Sequence, residues 1–105
     1  MSPAAPASRP LALTDTLDAL RAAGEETRLR ILALLGEGEL SVSDLTDILG
    51  QSQPRISRHL KLLVEAGLVR RHREGAWAFF RLTEDGTAAG LLAAVLRQLD
   101  AADPI

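Results

Sequence analysis

Gly50-Gln51-Ser52-Gln53-Pro54-Arg55-Ile56-Ser57-Arg58-His59-Leu60-Lys61-Leu62-Leu63-Val64-Glu65-Ala66-Gly67 is the stretch that decides the fold of this chain. Ser52 is suited to begin a helix, because its hydroxyl can accept from a first-turn amide that has no intrahelical partner. Pro54 is tolerated in that turn for the same reason, since the amide it lacks would go unused. At about 100° per residue, Ile56, Leu60, Leu63 and Val64 fall within an arc roughly 100° wide, the stripe expected to face a core. Arg58 and Lys61 lie nearly opposite that stripe, Arg55 and His59 flank it, and Leu62 is left outside it. The spacing predicts a helix from Ser52 to Ala66, stopped by Gly67, with one apolar side and one cationic side.

Working outward, Leu45, Ile48 and Leu49 mark a short preceding helix, capped by Ser41 or Ser43 and stopped by Gly50. Two helices separated by Gly50-Gln51-Ser52 make a helix-turn-helix. Beyond Gly67, Leu68 to His72 and Ala76 to Leu82 read as strands, with Arg73-Glu74-Gly75 leading into a tight turn. All three aromatic residues, Trp77, Phe79 and Phe80, sit in the second strand, where Trp77 is expected to pack on the hairpin. Near the start, Leu13, Leu17 and Leu20 predict a first helix capped by Thr14 and closed by Gly24. A second helix opened by Glu25 and Glu26 is apolar enough, through Leu29, Ile31, Leu32, Leu34 and Leu35, to be central to the core. A last helix begins at Thr83 or Glu84 and carries Leu91, Leu92, Val95, Leu96 and Leu99. The expected fold class is mainly α with a small β-hairpin wing (α+β), a winged helix-turn-helix in the order α-α-α-α-β-β-α. Its domain is expected over residues 13–100, with a flexible tail at 1–12 and a C-terminal tail at 101–105.

With 105 residues, the chain has room for one domain. At 47% hydrophobic and 25% charged it has globular composition, which argues against wholesale disorder. The absence of cysteine excludes disulfides, thiolate metal sites and cysteine nucleophiles. No apolar run approaches the roughly 18 residues of a membrane span, and Met1 to Pro10 lacks the apolar centre of a signal peptide, so a cytoplasmic protein is expected. The net charge of −2 conceals a segregation. Residues 51–81 hold seven basic side chains against two acidic ones, while the rest of the chain holds five against twelve. Such a basic block is the electrostatic footprint of nucleic-acid binding, although charge runs also serve simply as solvated faces.

Double-stranded DNA is the partner that this pattern fits. A helix enters the major groove, where arginine can bond two acceptors of guanine and glutamine can do the same for adenine; Gln53, Arg55 and Arg58 are therefore the candidate base readers. Ser57, His59 and Lys61 are better suited to phosphates, which position a protein without reading sequence. Arg73 at the wing tip is placed for the backbone or minor groove, while Arg70 and Arg71 could instead only guard a strand edge. Catalysis is not expected, because the chain shows no nucleophile–base pair and no glycine-rich phosphate loop. No cofactor and no metal are expected. A protein-interaction module built on the same fold is the competing reading, distinguished by the absence of salt-dependent affinity for duplex DNA.

The run Ser57-Arg58-His59-Leu60-Lys61, then Glu65-Ala66-Gly67-Leu68-Val69, then Glu74-Gly75 and Phe80-Arg81-Leu82, closely resembles the winged helix-turn-helix of the ArsR/SmtB family of bacterial repressors. Thr27-Arg28-Leu29-Arg30-Ile31-Leu32 is similar to that family's second helix. The resemblance implies a homodimeric repressor released from an inverted-repeat operator by an effector the sequence does not name. It also implies pairing of the first and last helices, making Leu13, Leu17, Leu20, Leu92, Val95, Leu96 and Leu99 the candidate dimer interface. Metal-sensing members carry Cys-Val-Cys-Asp where this chain reads Ser41-Val42-Ser43-Asp44, and serine hydroxyls are poor ligands for the soft ions that thiolates hold. His59 and His72, the only two histidines, lie outside the last helix, where the family's other metal site is built; Asp85 and Asp100 alone make a weak site. Some ArsR-like domains precede a methyltransferase domain, so a DNA-binding fragment of such a fusion is a further alternative.

Overall fold

A computed structural model describes residues 12–84 and 87–99. In chain order these form α1 (Leu13–Ala23), α2 (Glu26–Leu35), β1 (Leu40–Ser41), α3 (Val42–Leu49), α4 (Gln53–Glu65), β2 (Val69–Glu74), β3 (Trp77–Leu82) and α5 (Thr87–Arg97). The winged helix-turn-helix expected from the sequence is present. The tail expected at 1–12 lies outside the described residues except for Ala12, and that at 101–105 lies wholly outside them, as do Asp85 and Asp100. Among the described residues, no helix is long and apolar enough to cross a membrane.

Local chemistry sets the boundaries of the central helices. Ser41, rather than Ser43, caps α3: its hydroxyl accepts from the Asp44 amide at 3.1 Å while the Asp44 carboxylate accepts from the Ser41 amide at 3.0 Å. Ser41 and Asp44, the two ends of the Ser41-Val42-Ser43-Asp44 segment, are thus engaged in a reciprocal cap. Gly50 ends α3 in the left-handed conformation, φ 66°, which lets the chain turn within two residues. Ser52 then caps α4 by accepting from the Arg55 amide. Gly75 has φ +61° in the two-residue turn between β2 and β3, and Glu74 pairs with Trp77 across it.

Ile31 and Leu32 of α2, Leu45 of α3, Ile56, Leu60 and Leu63 of α4, Leu68 and Val69 at the hairpin's start, and Phe80 of β3 form the core, each no more than 6% exposed. Burial of each such large side chain contributes roughly 1.5–3 kcal/mol to folding. α4 packs against α1, α2, α3 and β2, so its inner face is fixed from several directions.

The structure departs from the sequence reading at particular places. β1, which the expected order did not contain, adds a third strand: Leu40 pairs with Phe80 and Ser41 with Phe79, giving the order β1-β3-β2. Two residues are too few for alternation to show, and the pairing depends on a partner far along the chain. α1 is preceded by Ala12 without a side-chain cap, and Thr14 lies inside the helix. Thr83 and Glu84 do not begin α5; Thr83 instead fastens the end of β3, its hydroxyl donating to the Gly67 carbonyl at 2.8 Å. Val64 is 37% exposed, because it sits at the margin of the core arc, and Trp77 is 61% exposed at the first position of β3, beside the turn.

Candidate nucleic-acid interface

The outer face of α4 carries what the inner face cannot. With Ile56, Leu60 and Leu63 buried beneath, Gln53, Arg55, Ser57, Arg58 and Lys61 are all exposed. Carboxylates lie beside Arg21, Arg30 and His72, but among the described residues Arg55, Arg58, Lys61, Arg71 and Arg73 have no carboxylate partner. Cations left unneutralised on a rigid surface keep their full attraction for an external anion, since no internal pair must first be broken.

Beside α4, the hairpin projects as a wing. Alternation along β2 puts Val69, Arg71 and Arg73 on one face, paired with Leu82, Phe80 and Ala78 of β3. Val69 and Phe80 are buried at the base, whereas Arg71 and Arg73 are exposed. Arg73 is therefore at the outer end of the wing, adjacent to the Gly75 turn, as the sequence suggested. The opposite face carries His72, Glu74 and the exposed Trp77, with His72 and Glu74 3.4 Å apart.

His59 does not share the outward placement expected of a phosphate contact. Its side chain is only 16% exposed and turns inward, with Nδ1 3.3 Å from Nη1 of Arg28 and 3.9 Å from the Glu25 carboxylate. The cause is its angular position: it flanks the core arc on the side where α4 meets α2. Burial holds the imidazole below its ordinary pKa; Glu25 pulls upward, and Arg28, Arg55 and Arg58 reinforce the lowering. The neutral ring accepts from Arg28, since a guanidinium can only donate.

Two residues that the sequence reading did not single out as site residues hold α4 in place. Gln51, in the turn, donates from Nε2 to the Thr27 hydroxyl at 3.0 Å. Arg28 makes the contact with His59 and also bonds the end of α1, donating from Nε to the Ala22 carbonyl at 2.7 Å. Gln51 reaches back to the first turn of α2 and Arg28 reaches out from it, and the available signal was the polar pair Thr27-Arg28 at the head of a helix whose second half is apolar.

The proposed seam residues separate into two groups. On α1, Leu13, Leu17 and Leu20 are exposed by 76%, 40% and 46%, while Ala19 and Ala22 face the core. On α5, Val95 is half-buried and Leu96 packs partly against the core, whereas Leu99, expected on the same helix, lies two residues past its end at Arg97 and is half-buried there. Leu92 is a correction: at 3% exposure it belongs to the chain's own core and has no surface to offer a partner. Among the described residues, no group of three or more His, Cys, Asp or Glu side chains is arranged to hold a metal ion.

Comparison with known proteins bears on this geometry. The pattern of the "bacterial regulatory protein, arsR family" matches residues 25–71. The chain is 55% identical over 60 residues to the arsenical resistance operon repressor of Escherichia coli, a match covering 56% of this chain and 51% of that protein. It is 36% identical over 94 residues to the HTH-type transcriptional repressor SmtB of Mycobacterium tuberculosis, covering 89% of this chain and 70% of the relative. Among solved structures, it is similar to a homodimeric winged helix-turn-helix DNA-binding domain from Mycobacterium bovis. The TM-score is 0.71 at 32% identity, over 79% of this chain and 76% of that one. The matches span about half to three fifths of the length of the arsenical resistance regulators.

Proposed function

The chain belongs to the ArsR family of bacterial regulatory proteins, and from that premise we propose that it is a sequence-specific transcriptional repressor, acting as a homodimer on an inverted-repeat DNA operator. The observation that carries this reading is the outer face of α4, where Arg55, Arg58 and Lys61 are exposed without carboxylate partners on a helix anchored by the core. In the major groove, Gln53, Arg55 and Arg58 would meet base edges while Ser57 and Lys61 meet phosphates; Arg73 would reach the backbone or minor groove from the wing. Repression is favoured by the names of the E. coli and M. tuberculosis relatives. Its target, the chromosome, puts its work in the cytoplasm.

The dimer is supported by the inverted arrangement of α1, which turns its alanines inward and its leucines outward. A solvated helix has no reason to present Leu13, Leu17 and Leu20 together unless another surface covers them. With Val95, Leu96 and Leu99 they form the proposed seam, and residues 13–100 would contain both dimerisation and DNA binding. A two-fold axis would set two α4 helices about one DNA turn apart, roughly 34 Å. Leu17→Glu should convert the dimer to monomer in sedimentation at micromolar concentration and abolish cooperative binding to the full operator; an unchanged sedimentation coefficient would remove Leu17 from the seam.

Trp77 supplies an experiment on the DNA reading itself. It is the chain's only tryptophan and stands exposed near the wing tip, so its fluorescence reports on that surface alone. Titration with duplex DNA should change its intensity or wavelength maximum, with an apparent affinity that falls steeply as salt rises. A signal indifferent to DNA would contradict the docking of the wing, and affinity indifferent to salt would contradict phosphate recognition.

A further inference from the structure

We infer that Arg28 is a positioning residue for DNA recognition, a clamp that ties the orientation of α4 to the end of α1. The inference deepens the proposed function and rests on it. Arg28 makes four contacts. Its amide donates to the Glu25 carboxylate at 2.9 Å, which locks it into the first turn of α2. Nε donates to the Ala22 carbonyl at 2.7 Å and Nη2 to the Arg21 carbonyl at 3.5 Å. Nη1 faces Nδ1 of His59 at 3.3 Å.

The two carbonyls belong to the last turn of α1, where no amide of the helix remains to bond them and where the helix dipole is negative. A guanidinium answers both demands with one planar group. A third donor, on Nη1, is directed at α4 through His59, which neighbours Arg58 and lies one turn after Arg55. α1 is also the helix that carries Leu13, Leu17 and Leu20 on its exposed side. One side chain thus joins the proposed dimer surface to the proposed DNA-reading surface through hydrogen bonds at each end, and a shift of α1 alters what holds α4.

His59 gives the clamp a chemical off position. The contact with Arg28 needs the Nδ1 lone pair. The charged groups facing the ring are Glu25 and Arg28 from α2 and its cap, and Arg55 and Arg58 from its own helix. α1 adds Asp18 and Arg21, which line the cleft shared with Arg28, as does Glu65 of α4. A proton on Nδ1 removes the acceptor and sets like charges together, leaving Glu25, 3.9 Å away, as the alternative partner. Because the folded state holds the imidazole pKa down, the clamp is complete at neutral pH and above, and it is lost as pH falls below the ordinary histidine range.

The test compares affinity for an operator, selected from genomic DNA by the wild-type protein, with affinity for a random duplex of equal length. Arg28→Ala should lower the ratio of the two by about 2- to 30-fold, with the salt slope unchanged. Arg28→Lys keeps the charge but not the fork, and should lose specificity as well. His59→Ala, which spares both contacts with α1, should lower the ratio similarly, and the double variant should be no worse than the poorer single one. Wild-type specificity should decline from pH 7 to about pH 5, whereas His59→Gln, whose amide oxygen accepts at every pH, should show no such decline. Equal losses on both duplexes with a shallower salt slope would make Arg28 a phosphate contact and overturn the proposal. An unchanged ratio in His59→Ala would overturn it even if Arg28→Ala failed to fold. A wild-type protein without sequence preference would overturn the function itself, a result distinct from a specific wild type whose Arg28 variants remain specific.

Discussion

Leu60→Ala should destabilise the protein by about 2–5 kcal/mol, the range for truncating a fully buried leucine. Leu60 is 1% exposed on the inner face of α4, among Ile31, Leu45, Ile56 and Leu63. The cost combines lost transfer energy with a cavity that elements held from several sides cannot collapse to fill. For a domain whose whole stability is about 5–15 kcal/mol, such a loss lowers the melting temperature by 10 °C or more. Leu62, two residues on and 40% exposed, provides the internal control: Leu62→Ala should change stability by only about 0.5 kcal/mol. Urea unfolding at one fixed protein concentration measures both, the fixed concentration being necessary because dimerisation adds to apparent stability. Similar midpoints for the two variants would show that α4 does not sit on the core as described.

Arg55→Ala and Arg58→Ala should each weaken operator binding by about 1–3 kcal/mol, roughly 5- to 150-fold, and relax base preference at one position of each half-site. Both side chains are exposed, and neither is needed to hold α4, which is capped by Ser52 and packed through Ile56, Leu60 and Leu63. The substitutions should therefore leave thermal unfolding nearly unchanged. Lys61→Ala should behave differently, weakening every sequence alike and reducing the salt slope by about one. Equal losses on operator and random DNA from both arginine variants would overturn their assignment as base readers while leaving the DNA-binding reading intact.

Much of this architecture was legible in the residue order because the determinants are local. Ser52, Pro54 and the apolar period of α4 lie within fifteen residues, and Gly75 marks its own turn. The outward placement of Arg58 and Lys61 followed from the same helical wheel that assigned the core, with Arg55 on its flank. What escaped depends on partners distant in sequence. β1 exists because Leu40 and Ser41 find Phe80 and Phe79. His59 looked like a further surface cation carrier, but it turns inward to Arg28, thirty-one residues earlier. Leu92 shares a stripe with Leu96 and Leu99, and periodicity alone cannot divide a stripe between a chain's own core and a partner. Trp77, expected to pack on the hairpin, pairs with Glu74 at the wing's outer end and remains 61% exposed there.

The central claim, that α4 and the wing read a DNA sequence, is tested most directly by incubating the purified protein with fragmented genomic DNA at two salt concentrations, recovering the retained fragments and sequencing them. The account predicts enrichment of an inverted repeat whose half-sites lie about one helical turn apart, with retention falling as salt rises. Recovery of fragments without a shared motif, or retention indifferent to salt, would contradict it and turn attention to a winged helix that binds protein.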